Sequence, residues 1–184
     1  VNYKPTMHIP PFFLADGLAI GAVYGALLND RATVQRLAPQ FAHPPYKAGP
    51  VAPVLYIKPR NTFARPGAAI AVPADPGEVR VEATLGLVIG TAARRVAPGD
   101  AMRHVAGYLV ASDLTLPHDS FYRPTVRERC RDGFCPMTGL LAAPAGFDAD
   151  AAEIVVEING RPAHRRSLRT LVRLESPYCD FDGL

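Results

Sequence analysis

The stretch "RVEATLGLVIG", Arg80 to Gly90, decides the fold. It closes on Leu87, Val88 and Ile89 before a glycine, as a buried strand does. It opens with Glu82 and Thr84, two polar side chains two residues apart. In a strand, residues i and i+2 face the same way, about 7 Å apart. The pattern predicts a strand over Val81–Ile89 with a pair of oxygens on one face of its first half. Such a pair is either a strand end meeting water or part of a site.

Working outward, "GYLVASDLTL" (107–116) predicts a second strand, with Asp113 near its end. Between the two lies "APGDAMRHVAGY", read as a helix of two to three turns, opened by Pro98, capped by Asp100 and ended by Gly107. Upstream, strands are expected at Ala19–Leu27, Val54–Lys58 and Ala69–Val72, with a short helix at Arg31–Leu37. A proline-rich loop, "APQFAHPPYKAGPVAP", separates the helix from the strand that follows. Downstream, "RPTVRERCRDGF" reads as a loop or short helix, and "EIVVEING" as the first arm of a hairpin with an Asn-Gly turn. Nineteen prolines and 15 glycines leave no long helical period. The expected class is mainly β with short helices, α+β, in a roll or barrel-like sandwich.

The bulk numbers fit one domain. The chain has 184 residues, 48% apolar and 20% charged, which suits a globular protein. A net charge of +3 with arginines spread along the chain gives no basic tail, so nucleic-acid binding is not expected. No apolar run approaches the roughly 20 residues of a membrane span, so no membrane partner is expected. Cys130, Cys135 and Cys179 form neither a disulfide framework nor a zinc pattern, and reduced thiols in the cytoplasm are the plain reading. The first 25 residues make a poor signal peptide, because Pro10, Pro11 and Asp16 interrupt the apolar stretch.

Four polar pieces stand where a strand meets a loop, as sites on β scaffolds usually do. They are Glu82 with Thr84; Asp113 in "GYLVASDLTLPHDSFYRP"; Arg129, Arg131 and Asp132 in "RERCRDGFCP"; and Lys58, Asn61 and Thr62 in "LYIKPRNTF". Each has a bland reading alone. Glu82 can be a solvated strand end, Asp113 a turn cap before Pro117, Arg123 to Arg131 a solvated face, and Lys58 a snorkelling side chain.

Together, the order "EATLGLVIG … HVAGYLVASD … RCRDGFCP" resembles the fumarylacetoacetate hydrolase family, over residues 19–173. The family's strands usually read Glu-x-Glu-Leu-x-x-Val-Ile-Gly and Val-x-Gly-Tyr-x-x-x-Asn-Asp, followed by Lys-x-x-Asp-x-Phe-x-Pro. The resemblance implies a β-roll domain at 19–173, an N-terminal extension at 1–18 and a divergent tail at 174–184. The segments "NDR", "PPYKAGPVAPVLYIKPRNT", "LPHDSFYRP" and "CRDGFCP" look most like members that decarboxylate and isomerise unsaturated 2-oxo and 2-hydroxy dicarboxylic and tricarboxylic acids in 4-hydroxyphenylacetate catabolism.

The resemblance also implies roles. Glu82 and Asp113 stand at metal-ligand positions for Mg²⁺ or Mn²⁺, whose Lewis acidity would stabilise an enolate. Thr84 stands where a second Glu is usual, so the ion should be weakly held or absent. Lys58, Arg129 and His118 are the expected catalytic groups. Lys58, Asn61, Arg123, Arg131 and Asp132 are the expected contacts to a dicarboxylate substrate. Arg129 replaces the usual Lys and cannot carry a proton as a lysine can. Hydrolytic members carry a His and a Glu in a segment that here reads "LLNDRATVQRL", with neither, which weighs against an acyl-pyruvate hydrolase. His118 and Asp119 are a possible substitute pair. The family continues past "EINGRPAHRRS" in a way "LVRLESPYCDFDGL" does not match, so a truncated or divergent C-terminus is expected. An open sheet edge would then be covered by a homodimer partner or a sister subunit. The alternative to a working enzyme is a catalytically weakened partner half.

Overall fold

The computed structural model describes residues 12–123, 125–141 and 147–171. Its strands are β1 (Phe12–Phe13), β2 (Ala19–Ile20), β3 (Val23–Leu27), β4 (Val54–Lys58), β5 (Phe63–Ala64), β6 (Arg80–Ile89), β7 (Val105–Thr115), β8 (Cys135–Pro136), β9 (Glu153–Ile158) and β10 (Arg161–Ser167). The α-helices are α1 (Arg31–Phe41) and α2 (Val126–Arg129), and short 3-10 turns complete the regular structure. The class is therefore mainly β with short helices, as the sequence predicts. Among the described residues no helix is long and apolar enough to cross a membrane. The tail proposed at 174–184, with its Cys179, lies outside the described residues.

The opening stretch forms the central ladder. Strands β6 and β7 pair antiparallel along nearly their whole length, from Arg80 opposite Thr115 to Ile89 opposite Val105. On β7 the odd positions Leu109, Ala111, Asp113 and Thr115 are all buried. Leu109 and Ala111 join Leu14, Phe63, Cys135 and Met137 in one apolar cluster. Leu114, Leu116 and Phe134 make a second. The face that begins as core at Leu109 thus ends as a buried carboxylate at Asp113. Gly86 sits opposite Leu109, and a methyl group there would meet the Leu109 side chain at 2.6 Å.

Around this ladder, β3 pairs antiparallel with β4, and β5 pairs parallel with β8. The predicted strand at Ala19–Leu27 is broken in two, because the chain changes partner. Residues 19–20 pair with 12–13, whereas 23–27 pair with 54–58. The predicted strand at Ala69–Val72 is absent; those residues have no ladder partner and run as irregular chain. The helix expected after Pro98 is a 3-10 segment, Pro98–His104, preceded by Ala97. Asp100 pairs with Arg103 there instead of capping. Gly107 lies inside β7. The hairpin is as expected: β9 and β10 pair across Asn159 and Gly160, both at positive φ (54° and 72°).

Helix α1 runs on to Phe41, through Pro39, because Leu37 and Phe41 bury the same face four residues apart. Its start is fixed by Asp30, whose side chain accepts from the Thr33 amide at 2.9 Å. Asp30→Ala should cost about 1 kcal/mol, the usual worth of such a cap. A urea unfolding midpoint unchanged from the parent would contradict this.

Candidate active site

The register of the central ladder places Glu82 directly opposite Asp113, and Thr84 opposite Ala111. Directly opposite residues share a face, so the two acids and the hydroxyl line one strip of it. Their exposure differs: Asp113 is 6% exposed, while the Glu82 side chain is 52% exposed.

Two cations meet Asp113. Lys58, the last residue of β4, is 2% exposed. Its Nζ lies 2.6 Å from Asp113 Oδ1. The same ammonium donates to the carbonyls of Leu114, Arg129 and Phe134 at 3.0–3.1 Å. Its three hydrogens are thus directed at backbone, and Oδ1 is held by charge, without a hydrogen bond of good geometry. Arg129, the last residue of α2, is 3% exposed and donates from Nη1 to Asp113 Oδ2 at 2.6 Å. Its Nη2 lies 3.9 Å from Glu82 Oε2. The guanidinium therefore stands between the two facing carboxylates.

Tyr56 completes the group. Two residues before Lys58 on β4, it shares that strand face, and its hydroxyl donates to Asp113 Oδ2. Its ring carries the Arg129 guanidinium 5.1 Å from the centroid, a cation–π contact. Burial first, and then the Asp113 charge, push the phenol far above its ordinary pKa, so it stays protonated at any working pH. Gly25 lies opposite Tyr56 in the β3–β4 pair, and any Cβ at Gly25 would collide with the phenol ring. Neither Tyr56 nor Gly25 is among the residues expected from the sequence. The signal for Tyr56 was the i, i+2 spacing in "LYIKP", the same rule that singled out Glu82 and Thr84.

A cleft of about 450 Å³ opens beside this group. Tyr24, Leu55, Ile57 and Val126 give it an apolar lining, to which Tyr56, Thr125, Arg129 and Cys130 add polar residues. Burial raises the Cys130 thiol above its usual pKa, so it is a neutral wall group and not a thiolate nucleophile.

The other expected residues are placed as follows. Asn61 donates to the Cys130 carbonyl and to Asp132 Oδ1 at 2.7 Å, tying the turn after β4 to the loop after α2. Arg131 and Asp132 line a separate depression of about 370 Å³ with Phe134. Arg123 is exposed and stacks over Tyr122 at 5.5 Å. His118 contacts the Ser120 carbonyl and the Phe121 ring. Burial first, then the Arg129 charge, lower its pKa, so it is neutral at pH 7. Among the described residues no contact joins His118 to Asp119. The structure thus gathers Lys58, Glu82, Asp113 and Arg129, with Thr84 next along the face. Asn61, Arg123, Arg131 and Asp132 stand apart from them.

The donor set does not fit a divalent ion. Both Asp113 oxygens already face cations, the guanidinium fills the space toward Glu82, and the third oxygen is the neutral Thr84 hydroxyl. Among the described residues no group of three or more His, Cys, Asp or Glu is arranged to hold a metal. What the arrangement offers is a fixed guanidinium beside a neutral phenol at the end of an apolar cleft, a setting for an organic acid.

Comparison with known proteins gives the family and the fold. The model of the family described as "Fumarylacetoacetate (FAA) hydrolase C-terminal" matches residues 22–173. A 4-hydroxyphenylacetate degradation bifunctional isomerase/decarboxylase of Escherichia coli is 40% identical over 154 residues, covering 83% of this chain and 35% of that protein. The chain thus spans about a third of the length of such relatives. In fold it is similar to a fumarylacetoacetate hydrolase family protein from Yersinia pestis, with a TM-score of 0.67 at 24% identity over 88% of this chain and 75% of the other. A fumarylpyruvate hydrolase from Pseudomonas aeruginosa, solved in complex with Mn²⁺ and pyruvate, gives a TM-score of 0.65 at 19% identity over 94% and 76%.

Proposed function

Because the chain belongs to the fumarylacetoacetate hydrolase family, we propose that it serves the isomerase/decarboxylase chemistry of 4-hydroxyphenylacetate breakdown, acting on unsaturated 2-oxo and 2-hydroxy dicarboxylic and tricarboxylic acids. The relatives at 38–40% identity carry that activity in their names, and this chain matches them over 83% of its length. The observation that carries the reading to this site is the buried Arg129 at the end of an apolar cleft. A fixed guanidinium charge attracts carboxylate and enolate oxygens, and the apolar walls suit an unsaturated carbon chain.

The chemistry then divides among residues on the page. Loss of CO₂ from a carboxylate on the carbon next to a C=C conjugated to the 2-oxo group sends the C–C bond electrons through that C=C to the carbonyl oxygen as a dienolate, and the Arg129 charge stabilises the developing oxyanion. The carbon is then protonated. Tyr56 borders the cleft and is protonated, so it can give its proton to the carbon and take one back from water entering the cleft, while Asp113 orients its hydroxyl. Isomerisation of a dienol uses the same groups, taking a proton from oxygen and returning one to carbon. Lys58 holds its place by its backbone bonds and sets its charge against Asp113.

Tyr56→Phe should lower turnover about a hundredfold, a typical share for a general acid. The measurement is loss of the ultraviolet absorbance of 2-hydroxyhepta-2,4-diene-1,7-dioate by the purified chain. Turnover equal to the parent would remove Tyr56 from the mechanism.

The second reading is a partner half that supports the site of a sister chain or second copy. It is favoured by the full engagement of the Lys58 hydrogens and by the acids being already neutralised. No turnover by the chain alone, with turnover on mixing with a sister subunit, would establish it. Turnover alone would exclude it.

A further inference from the structure

We infer that the Arg129 guanidinium is the resident cation of this site, standing in the place of a divalent ion, so that its acid substrate binds without metal. The inference deepens the functional reading above and rests on it.

Four observations carry it. Glu82 and Asp113 are directly opposite on adjacent strands, where like charges repel unless a cation lies between them. The cation between them is Arg129, at 2.6 Å from one and 3.9 Å from the other. Charge then balances, with Lys58 and Arg129 against Asp113 and Glu82, and a divalent ion would leave a surplus of two positive charges beside two buried cations. The guanidinium is also held by design of the fold. The Arg129 carbonyl accepts from Lys58, its amide donates to the Thr125 carbonyl at 2.9 Å, and the Tyr56 ring packs against its head. Lastly, Arg129 Nε is buried and has no hydrogen-bond partner among the described residues. A buried donor without a partner is costly, which marks the guanidinium as held here by the charges around it.

A guanidinium resembles a metal in carrying fixed positive charge with directed contacts. It differs in never ionising a bound water and in keeping its proton. The site is therefore suited to holding an enolate and unsuited to activating water for hydrolysis.

The test separates the cation from the substrate. Mn²⁺ is titrated into the chain and free Mn²⁺ is followed by electron paramagnetic resonance. Oxalate, a planar mimic of an enolised 2-oxo acid, is titrated by calorimetry in excess EDTA. The expected result is no Mn²⁺ binding at sub-millimolar metal and oxalate binding undisturbed by EDTA. Arg129→Lys should weaken oxalate about tenfold by losing the planar fork. Thr84→Glu combined with Arg129→Lys should bind Mn²⁺ at least about a hundredfold more tightly than the parent, by supplying the third carboxylate. Thr84→Glu alone should gain far less, which keeps the test informative if the Arg129 variants misfold. Tight Mn²⁺ binding by the parent, or oxalate binding only with Mn²⁺, would overturn the inference and leave the functional reading standing. Oxalate failing to bind under either condition would overturn the functional reading, with the Mn²⁺ titration still deciding the cation.

Discussion

Asp113→Asn is expected to lower the unfolding free energy by about 3–5 kcal/mol, the cost of stranding a buried charge. Among the described residues Asp113 is the only carboxylate in contact with both Lys58 and Arg129, which are 2% and 3% exposed. An amide keeps the shape and removes the charge, so two cations are left facing each other without an anion within the core. The Tyr56 hydroxyl keeps an acceptor at best, in weaker form. The check is a urea titration, with Glu153→Gln as control. Glu153 pairs with Arg165 on the exposed hairpin, and such a pair contributes no more than about 1 kcal/mol. If the two variants lost the same stability, Asp113 would not be the electrostatic centre of the fold.

Lys58→Met is expected to cost about 3 kcal/mol or more, because each of its bonds ends on a carbonyl that has few other donors. Methionine keeps most of the stem and its packing, so the loss reports the ammonium. Lys58 joins three segments that are distant in sequence: the end of β7 at Leu114, the end of α2 at Arg129, and the approach to β8 at Phe134. Those segments are also laced by Leu114 and Leu116 amides donating to Phe134 and Glu128 carbonyls. Without Lys58 the α2 segment should loosen first, and with it the position of Arg129. Amide hydrogen exchange at Arg129 and Cys130, whose amides close the α2 turn, should therefore rise more than exchange in the β6–β7 ladder. Combined with Asp113→Asn, the cost should fall below the sum of the two, since the pair removes one charge of each sign. Additive losses would mean that the two side chains act independently.

Much of the framework was legible. "RVEATLGLVIG" and "GYLVASDLTL" alternate over a core, and they form the central ladder with Glu82 and Asp113 in register. The Asn-Gly turn of "EIVVEING" has a local cause, and the hairpin forms around it. The breaks were not legible, because they follow from partner exchange: nothing local in Ala19–Leu27 says that its two ends pair with different strands. Asp100 looked like a cap because the residues after Pro98 suit a helix, yet the segment is a 3-10 connection between the two long strands. At the site, four of the side chains singled out from the sequence meet in the structure, at depths that residue type did not report. Lys58, which alone reads as a snorkelling side chain, and Arg129, which alone reads as part of a solvated face, are among the most buried polar groups, and Glu82 is the exposed one. Burial of a long cation depends on carbonyls offered by other segments, which strand periodicity does not report. Tyr56 was missed although it obeys the i, i+2 rule with Lys58, because a tyrosine in an apolar strand reads as packing.

The most direct test of the account is crystallographic. Crystals of the chain grown with millimolar Mn²⁺ would be measured at the manganese absorption edge. The account predicts no anomalous peak between Glu82 and Asp113 and the Arg129 guanidinium in that space, on the Asp113 carboxylate. A manganese peak bonded to both carboxylates, with Arg129 displaced, would contradict it.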